Sequence, residues 1–314
     1  MSPVLAADIG GTNLRLAVVN EAGEVVNEQR IEAQLSRADA SSPAEAEAQL
    51  MQTLISAIHP FAASHEITAI GIGFPGFFDH QNQLLRSSPN IPMLANFPLA
   101  AHLSEALNLP VAVENDALCA AIGEQRFGAG QGCDNLLHIT LGTGIGGGLI
   151  LNNAPYGGER GMAMEFGHLC VEPGGRTCGC GNQGCVEAYA SATAISRRYQ
   201  EASGEALSTK AIYQLAQQGD ESAKEIIQSA GHYLGMAIAE SVKLLDITTI
   251  SLSGGLCGAW SLLQPAILET LNRQLIPPLQ GKIDIRRSQL DDRSGILGAA
   301  TIARPAREET TGQA

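Results

Sequence analysis

Three cysteines at C-x-C-x4-C spacing, Cys178, Cys180 and Cys185, follow a histidine, His168, in a glycine-rich stretch. One nitrogen and three sulfurs form the ligand set of a closed tetrahedral structural zinc site. Glycines 179, 181 and 184 let so short a loop turn sharply enough to aim three sulfurs at one point. The alternative is a redox-active C-x-C with unrelated neighbours, and three thiols plus a histidine in one loop favour the metal. Glu165 precedes His168 by three residues and Glu187 follows Cys185 by two. A metal there would fix both carboxylates in space, which suits a polar ligand rich in hydroxyls.

Two further acids sit beside chain reversals. Asp8 ends an apolar run directly before Gly10-Gly11-Thr12. If the turn holds phosphate, its carboxylate needs an intervening cation such as Mg²⁺; a turn-initiating Asp is the plainer reading. Asp116, in Glu114-Asn115-Asp116, marks a strand-to-helix junction. It could cap the helix or serve as the general base that phosphoryl transfer to a hydroxyl requires, and residue type leaves both open. Gly142-Thr143-Gly144 and Ser253-Gly254-Gly255 are two more Gly-rich turns after apolar strands. Any one of them alone reads as an ordinary tight turn, whereas three placed alike point to a nucleotide. Gly142-x-Gly144-x-x-Gly147 matches the dinucleotide fingerprint in letters only, since a strand rather than a helix is expected at Leu149 to Leu151.

The elements that must carry these residues can be read from the apolar runs. Val4 to Asp8 and Leu14 to Val19 read as a hairpin, followed by a third strand near Glu24 to Ile31. Ser42-Pro43 starts a helix that reaches about Ser64, and Ile67 to Phe74 is a strand closed by Pro75-Gly76. A helix at Pro98 to Leu107, a short strand at Val111 to Val113 and a helix at Ala117 to Phe127 complete the first unit. Leu136 to Leu151 then repeats the opening pattern of strand, Gly-Thr-containing turn and strand, which suggests two domains of related architecture. Helices follow at Glu187 to Glu201, Thr209 to Gln217, Ser222 to Leu245 and Ala259 to Leu275. Strands near Thr248 to Leu252 and Ile283 to Arg286 interrupt them, a last helix spans about Gly295 to Ala303, and the tail from Arg307 is polar.

At 314 residues, two domains are the natural expectation. A formal charge of −13 argues against nucleic acid and anionic membranes as partners, but not against a nucleotide held by backbone N–H groups and a cation. Seven cysteines, four of them scattered through apolar sequence, fit a reducing compartment with one metal cluster. With no basic leader and no apolar run of membrane-spanning length, the expected location is the cytoplasm.

The order of these motifs carries a resemblance. Asp8-Ile9-Gly10-Gly11-Thr12, Glu114-Asn115-Asp116, the Gly-rich turn at 140–148, Glu165-Phe166-Gly167-His168 and the cluster ending in Glu187 resemble, over nearly the whole chain, the ROK family of sugar kinases, nearest its bacterial glucokinases. The resemblance implies an actin-like, hexokinase-like (RNase H-like) α/β fold of two domains with an interdomain cleft. The domains would be about 1–117 and 118–294, with a C-terminal helix at about 295–314 returning to the first. It implies ATP-dependent phosphorylation of a hexose 6-hydroxyl, glucose above all, with N-acetylglucosamine, N-acetylmannosamine or fructose as alternatives, and a homodimer. Asp116 would be the base; Asn115, Glu165, His168 and Glu187 would hold sugar hydroxyls, with Asn90 a further contact and Gly76 lining the pocket. His168 would also ligate zinc through its second ring nitrogen. Gly10, Gly11, Thr12, Thr143 and Gly144 would surround the phosphates of MgATP, and Gly254 and Gly255 would border the adenosine. One departure touches the sugar: many relatives carry Gly before the Glu of E-x-G-H, where this chain has Met164. A thioether there could narrow or reorient the pocket. The family also includes DNA-binding repressors, which the acidic charge and the position of Asp8 make an unexpected reading here. A non-catalytic sugar sensor, which would need neither Asp8 nor Asp116, is the alternative of another class.

Overall fold

The computed structural model describes residues 3–10, 13–32, 40–79 and 83–304, without the side chain of Asp291. The chain divides into two compact units, Met1–Cys119 with Gly295–Ala314, and Ala120–Ser294.

In the first unit, strands β1 (Val4–Ile9), β2 (Asn13–Val19), β3 (Val25–Glu32), β4 (Ile70–Phe74) and β8 (Val111–Asn115) form one sheet in the order β3-β2-β1-β4-β8. The β1–β2 and β2–β3 pairs are antiparallel, and β1–β4 and β4–β8 are parallel. Parallel strands buried on both faces read as continuous apolar runs, and all five residues of β4 are buried. Helix α1 (Pro43–Ala63) buries Ala46, Leu50, Leu54, Ile58 and Phe61, one stripe at near-fourfold spacing. Its start is set by Ser42, whose hydroxyl accepts from Glu45 N–H, and by Pro43 in the first turn.

Helix α2 (Leu99–Leu107) precedes β8, and α3 (Asp116–Phe127) follows it without a break. The last helix, α9 (Ser294–Ile302), lies on this unit: Gly71 of β4 and Gly298 leave no room for a Cβ against the carbonyls of Ala299 and Cys119. A second, three-stranded sheet, β5 (Phe77–Asp79), β6 (Leu84–Ser87) and β7 (Ala95–Phe97), was not expected from the sequence.

The second unit repeats the order. Strands β9 (Leu136–Leu141), β10 (Ile145–Leu151), β11 (Ala154–Pro155), β12 (Thr249–Ser253) and β13 (Asp284–Arg287) run β11-β10-β9-β12-β13, with β9–β12 and β12–β13 parallel. The helix expected over Glu187 to Glu201 is broken in two, α4 (Glu187–Ala190) and α5 (Ala192–Ser203), because Ser191 leaves the helical conformation and caps α5 by accepting from Ala194 N–H. Helices α6 (Thr209–Gln217), α7 (Glu221–Leu245) and α8 (Trp260–Gln274) complete the unit. Gly231 and Gly235 bring α7 within van der Waals reach of the α8 backbone. Inside this core, His138 is fully buried with its ring nitrogens 2.8 and 3.0 Å from the hydroxyls of Ser251 and Ser253. Burial lowers its pKa to about 4, so it stays neutral near pH 7 as a structural residue.

Candidate active site

In open α/β sheets, ligand-binding residues gather beyond the carboxyl ends of parallel strands. In the first unit those ends carry Asp8 near the end of β1 and Gly10 after it, Pro75-Gly76 after β4, and Asn115-Asp116 where β8 becomes α3. Gly11 and Thr12 lie outside the described residues. Asp8 sits in β1 with Gly73 of β4 as its parallel neighbour. Burial holds the Cys119 thiol well above its ordinary pKa, and the charges of Glu114, Asp8 and Asp116 add to the effect.

The helix-capping question at this junction resolves in favour of Asn115. Its Oδ1 accepts from Leu118 N–H at 3.0 Å, three residues on, while its amide donates to Gly76 carbonyl at 3.1 Å. Asp116 Oδ1 accepts from Ala117 N–H at 2.9 Å, and the residue's own backbone N–H also binds the carboxylate. Burial raises its carboxyl above the usual Asp range, opposed by those two N–H groups. Asn90 occupies the turn 88–91, and the Ser88 hydroxyl of that turn donates to Pro75 carbonyl at 2.7 Å, next to Gly76. Gly76 is required because a Cβ would stand 2.6 Å from Leu85 and 2.9 Å from Ser87 carbonyl.

In the second unit, Gly142-Thr143-Gly144 joins β9 to β10. Its three carbonyls are all engaged. Gly144 O accepts from Gly142 N–H at 3.0 Å, Gly142 O from Ala192 N–H at 2.9 Å and Thr143 O from the Thr193 hydroxyl at 2.8 Å. The N–H groups of Thr143 and Gly144 have no acceptor among the described residues. A turn so polarised presents donors only, the requirement for an anion. Gly254, at φ 95°, packs directly on Leu141 carbonyl and so brings the 253–255 turn beside the 142–144 turn.

Glu165, His168 and Glu187 converge with the cysteines. The four metal-type donors of His168, Cys178, Cys180 and Cys185 all lie within 4.8 Å of one another. Cys180 Sγ is 3.7 Å from Cys185 Sγ, and Cys178 Sγ is 3.6 Å from His168 Nδ1. A tetrahedral zinc with ordinary bond lengths requires S···S of ~3.75 Å and S···N of ~3.55 Å, so these residues fit that ion. Without a cation, burial and the neighbouring thiols push Cys185 up to about 12. Thiolates this close need a positive charge between them.

His168 Nε2 is left beside Glu165 Oε2 at 3.7 Å. Glu187 Oε2 accepts from Ile145 N–H at 2.9 Å, and its Oε1 lies 3.7 Å from Cys178 Sγ. Sequence reasoning did not find this bracing of the Gly-rich turn; Ser191 is the one local hint of a helix start there.

The turn that carries Glu165 is strained. Met164 adopts φ 69°, a left-handed conformation that favours glycine, and Phe166 N–H reaches back to Met164 carbonyl at 2.6 Å. Glu165, at φ −67° and ψ 56°, is thereby the centre of an inverse γ-turn. Gly147 and Gly167 let this turn lie flat on β10, since a Cβ on Gly147 would stand 2.7 Å from Met164 carbonyl. The third glycine of the G-x-G-x-x-G therefore serves packing within a strand, not a dinucleotide.

Two mixed sheets of one order, each with turns beyond its parallel strands, define the actin-like, hexokinase-like fold of sugar kinases. The model of the ROK family matches residues 4–306, and the chain belongs to that family. It is 33% identical to a glucokinase of Streptomyces coelicolor, over 97% of this chain and 98% of the relative. An N-acetylmannosamine kinase of Yersinia pestis is 31% identical over 97% of this chain and 99% of its own length. Among solved structures, a ROK glucokinase of Streptomyces griseus in complex with glucose and AMPPNP is 33% identical with a TM-score of 0.81, covering 96% of this chain and 99% of that one. Among the described residues, no helix is long and apolar enough to cross a membrane.

Proposed function

We propose that this ATP-dependent sugar kinase transfers the γ-phosphoryl of MgATP to the 6-hydroxyl of glucose, with Asp116 as general base. The observation that carries the reading is Asp116 itself. Asn115 performs the capping, which leaves a half-buried Asp116 carboxylate held by local backbone N–H groups, its pKa raised by burial. As the sugar hydroxyl attacks, Asp116 takes its proton. Asn115 and the backbone at Gly76 then hold the sugar together with Asn90, Glu165, His168 and Glu187.

The N–H groups of Thr143 and Gly144 receive phosphate oxygens in the reading, as do Gly10, Gly11 and Thr12. Gly254 and Gly255 border the adenosine, and Asp8 faces the Mg²⁺ or its water. His168, Cys178, Cys180 and Cys185 would hold a zinc ion, which would supply structure by fixing His168 and the start of α4, where Glu187 stands. Water is excluded by closure of the protein over the two substrates, since it would otherwise compete as acceptor. The protein works in the cytoplasm as a homodimer, as expected of the family.

Glucose is favoured over 2-acetamido sugars on the Streptomyces relatives, while the relative that acts on N-acetylmannosamine keeps that sugar as the second reading. A coupled ADP-release assay with MgATP against glucose, N-acetylglucosamine, N-acetylmannosamine, mannose and fructose decides between them. The highest kcat/KM for glucose is expected. Preference for another sugar replaces glucose and keeps the chemistry, and no turnover with any sugar refutes the kinase reading in favour of a sensor.

A further inference from the structure

The bonds that shape the 142–144 turn come from one short segment. Glu187 takes Ile145 N–H at 2.9 Å, Ala192 N–H binds Gly142 carbonyl at 2.9 Å, and the Thr193 hydroxyl binds Thr143 carbonyl at 2.8 Å. Ala192 and Thr193 are the first residues of α5, behind the Ser191 cap. A helix start has unpaired N–H groups and positive character, and here it is turned to carbonyls of the chain.

This choice of partner fixes the polarity of the turn. A peptide unit has its carbonyl and the following N–H on opposite sides, so tying down Thr143 carbonyl aims Gly144 N–H the other way. Tying down Gly142 carbonyl does the same for Thr143 N–H. Those are the two N–H groups without an acceptor among the described residues. The turn would otherwise be free to flip a peptide and offer a carbonyl, which repels phosphate. Of the two braces, the Ala192 N–H is backbone and is kept by any residue but proline. The Thr193 hydroxyl is the part a substitution can remove.

We propose that Thr193 is a positioning residue for the phosphoryl donor. It holds the Thr143–Gly144 peptide with its N–H presented to the nucleotide phosphates, and it touches neither substrate. The inference rests on the reading that this turn receives the donor phosphates.

Thr193 is exposed and, among the described residues, its side chain is bonded only to Thr143 carbonyl, so Thr193→Val keeps the shape and removes one neutral hydrogen bond. Binding of ADP and of a non-hydrolysable ATP analogue is measured by calorimetry in the presence of Mg²⁺, beside KM for MgATP and for glucose. The loss of one such bond predicts about three- to tenfold weaker nucleotide binding and a matching rise in KM for MgATP. The glucose KM should stay within about twofold, the melting temperature should stay near that of the wild type, and Thr193→Ser should restore nucleotide affinity. Equal nucleotide binding by wild type and Thr193→Val overturns the inference and leaves the kinase reading standing. Equal weakening for nucleotide and sugar, unrescued by Ser, overturns it as well by revealing a general structural loss. A folded wild type that binds no nucleotide overturns the donor reading itself, and the inference with it.

Discussion

Gly144→Ala is a perturbation the structure sizes unusually well. Gly144 does not occupy a left-handed conformation, so alanine brings no backbone strain. Its Cβ would stand 2.5 Å from Glu187 Oε2 and 3.4 Å from Glu187 Cδ, with no other atom of the described residues beyond its chain neighbours within 4 Å. The atom in the way is the end of a flexible side chain, which can withdraw by an ångström or so. Withdrawal breaks the 2.9 Å bond that Oε2 accepts from Ile145 N–H. A hydrogen bond to a charged acceptor contributes about 1.5–3 kcal/mol. For a unit of this size that corresponds to a fall of about 3–12 °C in the melting temperature of Ala120–Ser294.

Because Glu187 is assigned a sugar contact, the sugar KM should rise about tenfold or more while the protein stays folded. Thermal unfolding followed by circular dichroism reads the first effect, and steady-state kinetics at saturating MgATP reads the second. Glu187→Gln weakens the same bond from the other side. The double variant should therefore cost little more than the worse single one, as expected when two changes break one contact. Full additivity in melting temperature and KM, or a Gly144→Ala protein indistinguishable from wild type, would refute the reasoning.

Two other perturbations reach different parts of the site. Cys180→Ser removes one of four donors and should abolish stoichiometric zinc, measured by atomic emission, with a rise of about tenfold or more in sugar KM; a metal-free variant with normal kinetics would separate the cluster from the sugar. Asp116→Asn should raise the melting temperature at pH 7–8. Folding lifts the Asp116 pKa, so its contribution to stability is present below the unfolded value and lost as pH rises through the folded one. The gain from Asn should shrink on acidification toward the carboxylate range, and a gain that grows instead would reverse the sign of the shift.

The framework was legible because its strands are continuous apolar runs punctuated by Gly and Pro. Ile67 to Phe74 with Pro75-Gly76 and Leu136 to Leu141 with Gly142 needed little else. Asp8, Asp116 and the Gly-rich turns stood out by their positions at the ends of those runs, whereas the sugar contacts came from the resemblance. What escaped had weak local signals. Strands β5 to β7 are three or four residues long, with a register shift at Phe77/Phe78, and such segments have no period to detect.

The broken helix at Ser191 was missed because Ala-Ser-Ala-Thr-Ala is locally acceptable as helix interior; only the long-range bonds to Gly142 and Thr143 reward the break. The cap at Asn115 was hidden by Asp116, an equally good capping residue next door. Met164 was noticed as a pocket residue, whereas its backbone is the stranger feature. A left-handed methionine costs roughly 1–2 kcal/mol, and strain of that kind gathers at functional turns.

The central claim is that Asp116 takes the proton of the attacking hydroxyl. Its most direct measurement is a single-turnover rapid quench of MgATP labelled at the γ-phosphate, with excess glucose, for wild type and Asp116→Asn, beside glucose binding by both. The account predicts sugar affinity within a few-fold of wild type and phosphoryl transfer slowed by about 10²–10⁴. Transfer within a few-fold of the wild-type rate, at equal sugar occupancy, would contradict it.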